Sequence, residues 1–167
     1  MTTEIKRIQL FDRVEYRLKG KLHRVDGPAV ERVSGDKEWY LNGQRHRTDG
    51  PAMELANGDK EWWINDKLHR EDGPAFEWAD GYKAWWLNGK NHRTDGPAVE
   101  HASGDKEWWF NDLLHRTDGP AIEWVNGDKA WWFNGNKVSK KEVDKLRCQL
   151  FQKALVVNRR SYKFLRH

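Results

Sequence analysis

The sequence predicts a mainly β fold: an elongated antiparallel β-meander of five 23-residue hairpin repeats, followed by a C-terminal capping α-helix. Three observations carry this expectation. His23, His46, His69, His92 and His115 recur every 23 residues, each followed by Arg and then by Asp-Gly-Pro-Ala three residues after the His. An unbroken period marks a regular stack of like units. Each unit also carries two turn signals, an Asn-Gly or Asn-Asp pair and an isolated Gly of the Gly35 type. Finally, only 37 % of the 167 residues are hydrophobic, yet 11 are Trp. Aromatic rings must therefore stand in for an aliphatic core.

The elements follow in chain order. Residues 1–18 form an N-terminal capping hairpin, with Ile5 to Leu18 as its two strands. Tyr16 stands there in place of the repeat Trp, and Gly20 closes the following turn. Residues 19–136 are the repeat array. Asn42-Gly43, Asn88-Gly89 and Asn134-Gly135 are two-residue type I′ turn signals, and Asn65-Asp66 and Asn111-Asp112 are weaker versions. Ser34-Gly35-Asp36 reads as a three-residue loop in which Gly accepts positive φ. Asp-Gly-Pro interrupts the next strand, because Pro donates nothing to a ladder.

That loop assignment sets a register, and the copies test it. Residue 32 would face residue 38, giving Arg32–Glu38, Leu55–Glu61, Trp78–Ala84, His101–Glu107 and Trp124–Ala130. Large residues meet small ones and basic residues meet acidic ones, as cross-strand neighbours do. Across the Asn-Gly turn, Trp39 would face His46 and Glu38 would face Arg47. Alternation then separates two faces. One holds Trp39, Leu41, His46 and Val33 and is the expected core. The other holds Arg32, Glu38, Tyr40, Arg45 and Arg47 and is expected to be more open. A parallel solenoid is the rival architecture, but it would stack Glu31, Glu54, Glu77, Glu100 and Glu123 as like charges about 4.8 Å apart.

Residues 137–167 are expected to form a basic helix and tail. Ser139-Lys140-Lys141-Glu142 is a capping box. Val143, Leu146, Leu150, Ala154 and Val157 follow at helical spacing, with Phe151 and Leu155 beside them. This apolar stripe would cover the open end of the sheet. The segment holds 10 Lys and Arg against Glu142 and Asp144, whereas the first 136 residues net −4. The overall charge of +4 thus averages an acidic array and a basic tail.

Several classes are disfavoured. No run of 18 apolar residues exists, so no helical membrane span is expected. The N-terminus lacks the apolar core of a secretion signal, and Cys148 is a lone cysteine. A cytoplasmic protein is expected, in the host cytoplasm if viral. Five near-identical His/Asp pairs suit a structural role: Asp would cap its own turn, and His would pack on Trp while satisfying a backbone group. No enzyme is expected, since catalysis needs a unique constellation. No cofactor or metal is expected either. The recurring Gly-Asp at Asp36, Asp59, Asp105 and Asp128 is followed each time by Lys, and Tyr82 breaks the series.

Binding is the reading left. A macromolecular partner, most simply a protein, would meet the aromatic and Arg column of Tyr40, Arg45, Trp63, Trp86, Trp109 and Trp132. The basic tail of Lys140, Lys141, Lys145, Arg147, Arg159 and Arg160 would assist. Two alternatives stand beside it. Single-stranded nucleic acid would stack on the same rings and follow the cationic tail. A homo-oligomer would pair an edge strand or the Trp column with a second copy.

The 23-residue period, the Asn-Gly-Lys-x-His segment and the aromatic hairpin resemble MORN repeats over about residues 14 to 136. The His-Arg-x-Asp-Gly-Pro-Ala variant is similar to repeats of uncharacterised phage, bacterial and giant-virus proteins. The chain departs from MORN where Gly-x-Gly after the His is replaced by Arg-x-Asp-Gly-Pro, and in the spacing between turns. The resemblance implies a twisted antiparallel sheet used for protein or lipid contact, without catalysis. It also implies, by analogy with the phage repeats, an inhibitor that occludes a host defence or nucleic-acid enzyme.

Overall fold

The computed structural model describes residues 4–149 and 152. Among these, 22 strands form an antiparallel meander, and residues 140–149 form the one helix, α1. β1 (Lys6–Gln9) and β2 (Arg13–Leu18) are the expected N-terminal hairpin. β2 also pairs β3 (Lys21–Leu22) and β4 (Val30–Arg32), so the cap is continuous with the array.

One unit shows the plan. β4 pairs β5 (Lys37–Glu38), which pairs β8 (Met53–Glu54) of the next unit. Between them, β6 (Tyr40–Leu41) and β7 (Gln44–Arg45) form a separate small hairpin. Repetition yields one 14-stranded sheet, with two-stranded hairpins beside it. The small hairpins close as type I′ turns: Asn42 and Gly43 have φ of 53° and 87°, and Asn65 and Asp66 have 49° and 59°.

The other loop differs from the sequence expectation by one residue. Arg32 N donates to Asp36 O at 2.9 Å, so Val33-Ser34-Gly35 is the loop, with Gly35 at φ 99° in its last position. The register therefore slides by two: Val30 faces Glu38, Phe76 faces Ala84 and Ile122 faces Ala130. A slip of two keeps every side chain on its face. The expected Arg32–Glu38 and His101–Glu107 pairs therefore survive as diagonal contacts, at 3.0 and 3.2 Å. The slip frees the Asp36 carboxylate to accept from Ala56 N, tying one loop to the next at 2.8 Å.

The register also corrects three packing expectations. Val33 is 82 % exposed, because it is a loop residue and not part of the core face. Trp78 and Trp124 are not covered by facing alanines; they are 42 % and 40 % exposed. Glu38 and Arg47 do not face one another. The ladder leaves the small hairpin after Trp39–His46, and Arg47 N donates to Trp63 O.

The core is a stripe of small residues. Ala29, Ala52, Ala75, Ala98 and Ala121 are fully buried. Trp39 N donates to Ala52 O, and Ala29 N donates to Glu38 O. Trp39 therefore lies between two alanines in neighbouring strands, and the order repeats along the array. A large residue set between two small ones is large-with-small pairing within a single layer. On the same face, Glu31, Lys37, Glu54, Lys60, Glu77, Lys83, Glu100, Lys106, Glu123 and Lys129 alternate strand by strand. The glutamate column that disfavoured a solenoid is thus interleaved with lysine.

Helix α1 begins at its capping box. Ser139 N and Oγ each donate to Glu142 Oε2 at 2.7 Å, and Glu142 N donates back to Ser139 Oγ. Val143 is 2 % exposed. Arg147 lies near enough to Asp118, in the last Asp-Gly-Pro loop, to help hold its carboxyl below the ordinary range. Leu150, Phe151, Ala154, Leu155 and Val157 lie outside the described residues.

Candidate functional site

The Arg after each His organises the array. Arg47 Nε donates to Asp49 at 2.9 Å, and its Nη1 donates to Pro51 O and Glu54. Its Cζ sits 4.0 Å above the Trp39 ring. Arg24, Arg70, Arg93 and Arg116 repeat the arrangement on Tyr16, Trp62, Trp85 and Trp108. Arg47 therefore belongs to the Trp39 face, not the Tyr40 face. The guanidinium fork satisfies two carboxylates and a carbonyl at once, which no other side chain does as well. Asp26, Asp49, Asp72, Asp95 and Asp118 are each held below the usual carboxylate range, chiefly by the hydrogen bond from this Arg.

The histidines bind the next hairpin. His23, His69 and His115 Nδ1 accept from the backbone N of Asn42, Asn88 and Asn134. His46 and His92 Nδ1 pair instead with the side-chain oxygens of Asn65 and Asn111. The rings of His92 and His115 lie tilted against Phe110 and Phe133, the residue after the second aromatic of the next hairpin, at 4.6 and 4.8 Å, rather than on Trp. The expected backbone role of His is thus observed at His23, His69 and His115. The main partner of Asp is Arg.

The Tyr40 face is half-buried rather than open. Glu38 is only 5 % exposed. It accepts from Tyr40 Oη at 2.8 Å, and Glu61 and Glu107 accept from Trp63 and Trp109 Nε1 at 2.8 and 2.7 Å. Burial, and then the bond to Glu38, push the Tyr40 hydroxyl above its ordinary pKa. Arg45 lies between Tyr40 and Trp63, 5.9 and 5.3 Å from their centroids. Trp86 and Trp132 have buried Nε1 atoms without a partner, because Ala84 and Ala130 stand where the other units carry Glu. Tyr40, Arg45, Trp63, Trp86, Trp109 and Trp132 thus form one column, as expected, but it is largely a packing column.

The more open column on that face is another one: Arg32, Trp78 and Trp124 are exposed, and Leu55 and His101 are half-buried. Trp78 stacks against Tyr82 at 4.6 Å, and Tyr82 meets His101 at 5.6 Å. Its copies vary in type, whereas the packing columns hardly vary. That variation is the sequence signal that could have singled it out. Lys140, Lys141, Lys145 and Arg147 are exposed on α1. Arg159 and Arg160 lie outside the described residues.

No group of three or more His, Cys, Asp or Glu is placed to hold a metal among the described residues, and no helix among them is long and apolar enough to cross a membrane. No protein-family model matches the chain, and no curated protein matches it.

Proposed function

We propose that this chain is a non-enzymatic interaction module that binds a protein partner through the Tyr40 face of its sheet, with the basic helix alongside. One observation carries the reading: Trp78 and Trp124 stay 42 % and 40 % exposed on a face where Tyr40, Trp63 and Trp109 are pinned by Glu. Exposed aromatics on a rigid frame have the composition of interface hot spots. The repeated Arg and Asp groups are bonded to one another within each loop, and the His groups are bonded to the next hairpin, which supports a scaffold role over catalysis. Kinship with MORN-like repeats, a phage origin and inhibition of a host defence or nucleic-acid enzyme belong to the same proposal and rest on the motif resemblance.

The test is nuclease-treated pull-down with wild type and with the Trp78→Ala/Trp124→Ala variant. Both rings are exposed, so the variant should keep its fold and lose the captured protein. Equal capture by both chains would sink the reading.

A second reading is favoured by Lys140, Lys141, Lys145 and Arg147, all exposed on one helix. It is single-stranded nucleic-acid binding, and it requires affinity that falls steeply with salt. A self-associating assembly would instead show as a doubled mass in light scattering.

A further inference from the structure

Four clefts of 480 to 760 Å³ open on the Trp39 face, one between each pair of successive Arg-x-Asp-Gly-Pro loops. They are equivalent by the repeat. One is walled by Trp108, Phe110 and His115 and rimmed by Asp95, Pro97 and Asp118. We propose that this row binds an extended cationic peptide in polyproline II conformation, with a basic residue at every third position.

Spacing selects the conformation. Successive clefts are two strands apart, or about 9.6 Å. A polyproline II chain presents the same side every three residues, about 9.3 Å. A β-strand does so every two residues, about 6.7 Å, and falls out of step at once. Over three intervals the polyproline mismatch grows only to about 0.9 Å, within side-chain reach.

Chemistry selects the charge. Each rim Asp has Oδ1 on its Arg, as in Arg93–Asp95 at 2.8 Å, while the side chain stays 72 to 84 % exposed. Each Arg is shared between two carboxylates, Asp95 and Glu100 in the case of Arg93, and is only 20 to 22 % exposed, so the charged group that the rim presents to solvent is the Asp carboxylate. A phosphate backbone would be repelled there, and a Lys or Arg side chain attracted. The His ring and the apolar residue of each wall, Phe110 in one cleft and Leu41, Ile64 or Leu87 in the others, suit proline rings, a mode that gains from a ligand already extended before binding. The site is on the opposite face from Trp78 and Trp124 and is independent of the function proposed above.

The experiment titrates the full chain with synthetic peptides, followed by tryptophan fluorescence. Four Pro-Pro-Arg triplets should bind at least tenfold tighter than two, because linked sites add avidity. A peptide of the same composition with arginines at irregular spacing should bind at least tenfold weaker. Thr94→Arg/Thr117→Arg, which places cations on the rim beside Asp95 and Asp118, should lose at least tenfold. Trp78→Ala/Trp124→Ala should bind the peptide as wild type does. Equal affinity for the regular and irregular peptides overturns the proposal, and so does tight binding by the Thr94/Thr117 variant. Preference for single-stranded DNA or an oligosaccharide over the regular peptide overturns it as well. The spacing comparison uses only wild type and decides the matter even if the rim variant fails to fold.

Discussion

A Cβ on Gly50 would stand 2.9 Å from the guanidinium carbon of Arg47. The same approach recurs at Gly27, Gly73, Gly96 and Gly119, at 2.7 to 3.0 Å. None of these glycines has positive φ. Glycine is needed in Asp-Gly-Pro for room, so that the guanidinium can lie on the loop backbone while covering Trp39. An Arg side chain can usually bend away from a methyl. This one cannot do so without giving up Asp49, Glu54, Pro51 O and the ring together.

Gly50→Ala and Gly73→Ala should therefore each destabilise the array by about 1–3 kcal/mol, the cost of overpacking a fixed site. Urea unfolding followed by tryptophan fluorescence measures this. Unchanged midpoints would show that the Arg is not pinned.

Acid should weaken the whole array. The five loop aspartates have folded pKa values below their unfolded value, mainly through hydrogen bonds from Arg24, Arg47, Arg70, Arg93 and Arg116. A depressed carboxyl stabilises the fold above its unfolded pKa, about 3.9, and loses that contribution as pH falls through the folded value. Tm should be level from neutral pH to about 5 and fall below about 4. Replacing Asp49 and Asp95 by Asn should lower Tm at neutral pH and flatten the acid limb.

Asp66 occupies a left-handed position that Gly43 and Gly89 fill in neighbouring units, at φ 59°. Its carboxylate offsets the strain by accepting from Arg45 N at 2.8 Å, and Asp112 serves Asn91 N likewise at 2.7 Å. Asp66→Ala keeps the strain and loses the acceptor, so it should cost about 1–2 kcal/mol. Asp66→Gly removes the strain and should cost less. The reverse order in thermal unfolding would refute this account.

The unpartnered Nε1 of Trp86 invites a double-mutant cycle. Ala84→Glu alone would crowd Phe76, which faces it, and should destabilise by about 1–3 kcal/mol. Phe76→Met combined with Ala84→Glu recreates the Met53–Glu61 pairing of another unit and supplies the missing acceptor. The pair should recover the loss, with a coupling of at least about 1 kcal/mol. Additive losses would show that Trp86 gains nothing from Glu.

Much of this was written locally. The type I′ turns follow from Asn-Gly, and the helix start follows from Ser139 and Glu142. Two features are not local. Gly35 tolerates either position in its loop, and the deciding contact is Asp36 to Ala56, 20 residues away. Arg47 lies on the Trp39 face because strict alternation ends with the small hairpin. The sequence also carries a longer period: Leu22, Arg45, Leu68, Asn91 and Leu114 alternate in step with the Gly and Asp turn tips, giving a two-unit period of 46 residues.

The sequence by itself determined the unit, its two turns, its antiparallel order and the helix that follows, because these depend on residues adjacent in the chain. The tertiary structure decided which aromatics are pinned and which are exposed, why glycine sits in Asp-Gly-Pro, and that the clefts line up on one face. Those outcomes depend on side chains from successive units meeting across the sheet. A 23-residue pattern repeats the participants, but only the register of one unit on the next determines which of them touch.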